Sequence, residues 1–182
     1  LGPGHIEGDP TTAASNRPPR GTLIIEFIHC TNVRWEGFSV RQSGNNWATH
    51  PTFCTDVVIK DLRIEGARDG IDVDSCRRVL IQGCVIDTGD DCISLKSGRG
   101  LDGARLGQPT TDVAILDCTF IGRHFACIGI GSEISAGVRD VRIERCTFTA
   151  ATAAIYLKAR IGRAGVTENI TASDLDIRGG GF

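Results

Sequence analysis

The sequence predicts an all-β chain wound as a right-handed, single-stranded parallel β-helix, a solenoid with about six coils visible. Three observations predict it. An eight-residue pattern, V-x-I-x-x-(L/C/F)-x-(I/V/F), returns six times; a second short apolar strand lies between copies; and no segment carries helical periodicity of useful length.

The pattern reads, in chain order, Val33-Trp35-Phe38-Val40, Val57-Ile59-Leu62-Ile64, Val79-Ile81-Cys84-Ile86, Val113-Ile115-Cys118-Phe120, Val141-Ile143-Cys146-Phe148 and, more weakly, Ile170-Ala172-Leu175-Ile177. Successive starts lie 24, 22, 34, 28 and 29 residues apart, within the period range of solenoids but too irregular for a helical array of fixed repeat length. Alternation with period two and enrichment in β-branched residues mark each copy as half-buried strand. Between copies run Gly70 to Asp74, Cys92 to Lys96, Cys127 to Gly131 and Ala154 to Lys158. Aligned, they give one inward ladder of Ile71, Ile93, Ile128 and Ile155 and another of Val73, Leu95, Ile130 and Leu157. The alternate residues form two outward rows, Asp72, Ser94, Gly129, Tyr156 and Asp74, Lys96, Gly131, Lys158. A β-helix satisfies all of this, because each coil bonds to its neighbours and the core is a stack of like side chains.

The 182 residues fit one domain over 1–182, with Leu1 to Gly21 a loop-like N-terminal segment around Pro18-Pro19. The chain starts at Leu1, has no Met, ends on Gly179-Gly180-Gly181-Phe182 and lacks obvious polar caps, so truncation at both ends is expected. A formal charge of -2, without a basic stripe or amphipathic helix, argues against nucleic-acid and membrane-surface partners, and no transmembrane run occurs. Six of the eight cysteines are placed as apolar rungs. Cys30, Cys54 and Cys76 each precede a repeat by three residues, and Cys84, Cys118 and Cys146 share one inward slot. Parallel Cβ vectors on neighbouring coils suit free buried thiols better than disulfides. No C-x-x-C or Cys/His cluster suggests zinc, and no metal or cofactor is expected.

Chemistry concentrates at three aspartates. Asp69 lies 22 residues before Asp91, so one coil stacks them side by side with Asp90 adjacent. An Asp at a strand edge is most often a turn former, and that reading suffices for Asp72 and Asp74. Three carboxylates on one patch are costly, since like charges push at least one pKa upward; such clusters favour sites needing one protonated and one ionised carboxyl. Lys158 would bring positive charge toward the same groove. The stretch from Ser97 to Thr111, which carries Arg99 and Arg105, is a candidate rim loop. His50 is placed structurally, in a coil below the site.

From about Arg17 to Ile170 the chain resembles glycoside hydrolase family 28, the polygalacturonases and their relatives. The resemblance rests on I-E-F-I-H-C-T-N-V at 25–33, N-W-A-T-H-P at 46–51, D-G-I-D-V-D-S-C at 69–76, T-G-D-D-C-I-S-L-K-S-G at 88–98 and I-G-S-E at 130–133. It implies a parallel β-helix enzyme that hydrolyses glycosidic bonds of pectin with inversion and without a metal. It further implies Asp90 as general acid, with Asp91 and Asp69 positioning and activating water, an assignment in line with the coil register. Such a pair needs room for that water. The implied partner is an acidic plant-type polysaccharide or oligosaccharide, acted on by a monomer in an extracellular or periplasmic setting.

The chain also departs from the family. Phe125-Ala126-Cys127 stands where the family reads G-H-G, leaving His124 as the nearest histidine. Tyr156-Leu157-Lys158 stands for R-I-K, so the lysine matches and the guanidinium does not. Tyr156 is then a candidate to stack on a sugar face, and Arg160 or Arg163 to replace the lost arginine. Ala67-Arg68 replaces the asparagine usually found two residues before the first catalytic Asp. Two rival readings accompany the hydrolase: a Ca²⁺-dependent lyase on the same fold, and a noncatalytic glycan-binding or adhesin β-helix.

Overall fold

The computed structural model describes residues 4–7, 24–41, 46–150, 152–163 and 165–179, and within them the chain is a right-handed parallel β-helix. Strand β1 (Gly4–Glu7) is followed by coils of three strands each. These are β2 (Ile25–Ile28), β3 (Thr31–Glu36), β4 (Phe38–Arg41); then β5 (Thr49–Thr52), β6 (Thr55–Lys60), β7 (Arg63–Glu65); then β8 (Ile71–Asp74), β9 (Arg77–Gln82), β10 (Val85–Thr88). The fourth coil is β11 (Ile93–Lys96), helix α1 (Gly100–Leu106), β12 (Thr110–Leu116) and β13 (Thr119–Gly122). The last two are β14 (Ala126–Ile130), β15 (Val138–Glu144), β16 (Thr147–Ala150) and β17 (Ala153–Leu157), β18 (Thr167–Ser173), β19 (Asp176–Gly179).

The strands stack into three parallel sheets, β1-β4-β7-β10-β13-β16-β19, β17-β14-β11-β8-β5-β2 and β18-β15-β12-β9-β6-β3. Each eight-residue copy is therefore two strands in two sheets, where the sequence suggested one. The corner between them is made by Gly37, Asp61, Gly83, Asp117, Arg145 and Asp174, all at positive φ. Gly and Asp reach that left-handed region most readily. The corner stays inside the stack, because the N–H groups of Asp61, Gly83 and Asp117 donate to Gln82, Leu116 and Glu144 carbonyls at 2.9, 3.1 and 3.1 Å. The inward alternation survives the bend, which is why the repeat reads as continuous.

Register follows the repeat. Val33, Val57, Val79, Val113, Val141 and Ile170 pair coil to coil, as do Val40, Ile64, Ile86, Phe120, Phe148 and Ile177. The four intervening strands pair as Ile71-Ile93-Ile128-Ile155 and Val73-Leu95-Ile130-Leu157. Most of these side chains are fully buried, each worth roughly 1.5–3 kcal/mol of apolar burial. Leu157 and Ile177 are exposed, although they occupy inward positions; their strands are the edges of their sheets. Cys84, Cys118 and Cys146 are buried free thiols on one ladder, and the other five cysteines are free as well.

Three local expectations change. The segment 1–21 contains a strand, β1, which pairs with β4; the rest of it lies outside the described residues, as does the 180–182 end. The 97–111 loop contains α1, a single short helix closed by Gly107 at φ 61. Asp72 is no turn residue: it sits in the middle of β8, wholly buried.

Candidate active site

The outer face of the sheet β2-β5-β8-β11-β14-β17 carries a cavity of about 440 Å³. Because neighbouring strands lie about 4.8 Å apart, each coil adds one step to a groove along the helix axis. Glu26 comes from β2 and His50 from β5, with Asn46 and Trp47 just before it. Arg68 and Asp69 precede β8; Asp90 and Asp91 precede β11, which adds Ser94 and Lys96. Gly131, Ser132 and Glu133 follow β14, and Lys158 follows β17.

The aspartates stack as the spacing predicts. The Asp90 N–H donates to the Arg68 carbonyl at 2.6 Å, and the Gly70 N–H to the Asp91 carbonyl at 3.0 Å, which sets Asp69 beside Asp91. Asp69 and Asp91 side chains are nearly sealed, whereas Asp90 keeps 29% of its surface exposed. Each carboxylate has its own cation. Arg68 Nε donates to Asp90 Oδ2 at 3.1 Å, Lys158 Nζ to Asp91 Oδ2 at 2.5 Å, and Lys96 Nζ lies 3.8 Å from Asp69. Lys96 is itself held by Asp72, by Glu133 at 3.8 Å and by the face of Trp47, 3.6 Å from the ring centroid.

Burial pushes Asp69 up to about 6, against the pull of Lys96 and with help from the charges of Asp90 and Asp91. Burial likewise raises Asp91, although Lys158 opposes it. Asp72 is driven well above the ordinary carboxyl range by complete burial, with Lys96 opposing. Lys96 is raised: burial acts to lower it, and Asp72 and Asp69 more than compensate. Asp69 Oδ1, Asp91 Oδ1 and Ser94 Oγ are buried without a hydrogen-bond partner among the described residues. Gly129 makes room for this arrangement, since a Cβ there would fall 2.7 Å from Asp91 Cγ.

The other residues singled out in the sequence fall into two groups. Lys158 lines the cavity. Tyr156, His124 and Arg160 are exposed and do not line it. The Tyr156 ring sits 5.7 Å from Phe125, and His124 lies close to Gly89, just before Asp90. Arg163, not Arg160, reaches the rim, donating to Ser132 Oγ at 3.1 Å and lying 3.9 Å from Glu133. Arg99 and Arg105 do not line the cavity either, and Arg105 faces Asp102 at 3.8 Å. His50, expected below the site, belongs to its wall, 3.5 Å from Glu26 and 3.9 Å from Asp74. Its side chain points out of β5 into the groove, an orientation the strand alternation allowed.

Arg68, Trp47, Lys96 and Glu133 are wall residues that the sequence reading did not assign. Lys96 carried a usable signal, for it shares an outward row with Lys158; Trp47, in the approach to β5, carried no periodic signal. Among the described residues, no group of three or more His, Cys, Asp or Glu is arranged to hold a metal ion, and no helix is long and apolar enough to cross a membrane.

Known proteins share much of this sequence and its fold. Residues 7–179 match the family model of glycosyl hydrolases family 28. A probable polygalacturonase of Vitis vinifera is 32% identical over 152 residues, covering 81% of this chain and 31% of that protein. A polygalacturonase of Saccharomyces cerevisiae is 41% identical over 87 residues, 43% of this chain and 21% of its own length. The crystal structure of a hyperthermoactive exopolygalacturonase from Thermotoga maritima superposes with a TM-score of 0.75 at 34% identity, over 85% of this chain and 37% of that one. The chain thus spans about a third of the length of the first curated relatives it matches.

Proposed function

The chain belongs to glycosyl hydrolases family 28, and on that premise we propose that it hydrolyses, with inversion, the glycosidic bonds of a pectin-like, galacturonic-acid-containing polysaccharide or oligosaccharide. Asp90, the most exposed of the three carboxyls, protonates the leaving oxygen. Asp91 and Asp69 take the proton from the attacking water on the opposite face of the sugar. The observation that carries this reading is the three-carboxylate stack in one cavity, its two buried members raised by desolvation and each faced by its own lysine.

In this mechanism Lys96 and Lys158 hold the buried pair in place, and the partnerless Oδ1 atoms of Asp69 and Asp91 are the acceptors for water. Lys158 also faces the substrate. Tyr156, His124 and Arg160 meet the glycan only where it extends past the cavity wall. The substrate class suits an extracellular or periplasmic protein acting as a monomer.

Product analysis on oligogalacturonides and a pectic panel, with and without a chelator, tests the reading. The expected result is chelator-insensitive cleavage, the inverted anomer in time-resolved NMR, and loss of both in Asp90→Asn. Unsaturated product ends that vanish on chelation would replace the hydrolase with a lyase.

A further inference from the structure

The cavity wall carries five acidic side chains, Glu26, Asp69, Asp90, Asp91 and Glu133, against three basic ones, Arg68, Lys96 and Lys158. An anionic sugar entering such a site is repelled unless one cation has donors to spare. The three cations are not equivalent. Lys96 is only 5% exposed and is already engaged by Asp72, Asp69 and Glu133. Lys158 is 18% exposed, bonded to Asp91 and placed 4.9 Å from the Phe125 ring centroid. Arg68 is 48% exposed, and both of its ionic contacts, to Asp90 at 3.1 Å and to Asp69 at 3.9 Å, run through Nε.

The Nη1–Nη2 edge of Arg68 therefore has no partner among the described residues. Two parallel donors on a planar guanidinium match the two oxygens of a carboxylate. The edge is also fixed in place. Arg68 N–H donates to the Asn46 carbonyl at 2.9 Å, Asp90 N–H donates to the Arg68 carbonyl at 2.6 Å, and the side chain is tethered to Asp90 through Nε. A carboxylate held by Arg68 would sit one guanidinium away from Asp90.

We propose that Arg68 grips the carboxylate of the uronate unit bound beside Asp90, and so makes this enzyme prefer the free acid to its ester or to a neutral sugar. The inference rests on the hydrolase reading above and adds its specificity-determining residue. Galacturonic acid, its methyl ester and galactose, titrated by calorimetry into the wild type, Arg68→Gln and Arg68→Lys, give the direct test. Loss of a charge-assisted pair predicts roughly 10- to 100-fold weaker binding of the acid by Arg68→Gln, with ester and galactose unchanged. Arg68→Lys keeps the charge without the fork and should remain several-fold weakened. On trigalacturonate the loss should fall mainly on KM.

A kcat loss with KM unchanged, or equal weakening of acid, ester and galactose, would overturn the assignment and leave Arg68 as a residue that only positions Asp90. The two levels separate cleanly. If the wild type neither binds nor cleaves uronates, the hydrolase reading falls and takes this inference with it; if it does both and Arg68→Gln binds galacturonic acid as tightly, the inference alone falls. Far-ultraviolet circular dichroism on each variant confirms that the β-helix is intact.

Discussion

Asp69 and Asp117 are both aspartates stacked beside charged residues of neighbouring coils, yet their acidities are shifted in opposite directions. Asp117 occupies a solvent-facing corner, where Arg145 donates from Nε and Nη2 at 2.6 and 3.1 Å and Gln82 adds a bond at 3.0 Å. These hydrogen bonds bring it down to about 2. Asp69 sits in the groove, where desolvation and the charges of Asp90 and Asp91 bring it up to about 6 despite Lys96. Both have a cationic neighbour one coil away. What separates them is burial: the Asp117 carboxylate faces solvent at the corner, while that of Asp69 is nearly sealed in the cavity wall, so the same stacking geometry gives a surface ion pair in one place and a poised carboxyl group in the other.

The sharpest way to break the comparison is to neutralise one aspartate on each side. Asp90→Asn should lose hydrolysis by about 10²–10⁴-fold, the scale of general acid catalysis, while Asp117→Asn keeps full activity; initial rates on oligogalacturonides read both. A comparable loss in Asp117→Asn would mean that the corner is not inert. Next is Gly129→Ala. Its methyl group collides with the Asp91 carboxylate, and a displacement of that kind should cost about 10²-fold in kcat. If Gly129→Ala kept wild-type kcat, Asp91 would not need the position it has.

The third effect is one of pH. Asp69 holds its proton more tightly folded than unfolded, so its contribution to stability is full below about pH 4, where the unfolded group is still protonated, and is lost as pH rises through about 6. Asp69→Asn cannot ionise and escapes that loss. Relative to wild type the variant should gain on the order of 3 kcal/mol between pH 4 and pH 7, measured by denaturant unfolding at both values. A pH-independent difference would show that Asp69 is not raised. In the same range, kcat/KM of the wild type should turn down below about pH 6, because water activation needs the ionised form. Smallest of all is the corner pair: a double-mutant cycle on Asp117 and Arg145 should give a coupling within the scatter of a melting experiment, as expected for an exposed ion pair.

Much of this was legible in the sequence, and the reasons are physical. Period-two alternation of β-branched residues fixes which side chains face inward, and the 22-residue spacing then fixes the Asp69–Asp91 register without further information. The three-sheet cross-section was hidden because Gly83 and its equivalents bend the chain without breaking that alternation. Helix α1 was hidden because seven residues are too few to show a 3.6-residue period. The roles of Asp72 and Lys96 depend on what covers the outward face. Strand alternation says only that they leave the core; it is Trp47, Glu133 and the neighbouring carboxylates that bury them. Arg68 could be seen as a departure from the family pattern, but its tether to Asp90 appears only once the coils are stacked.

The excursion between Lys96 and Thr110 carries a consequence for engineering. After α1 the chain rejoins the stack with the Thr111 N–H bonded to the Cys76 carbonyl at 3.0 Å and Val113 paired with Val79, as though nothing had been inserted. The coil is closed by the coils beside it rather than by its own connecting segment. Segment length at this corner is thus loosely constrained: apart from Gly103, which is buried against Gly98 and Ser135, exchanging the residues beyond Gly98 for a shorter or foreign peptide should leave the ladder in phase at Thr110. A β-helix of this kind behaves as a graduated rail, on which an attachment can be changed at one rung without resetting the spacing of the others.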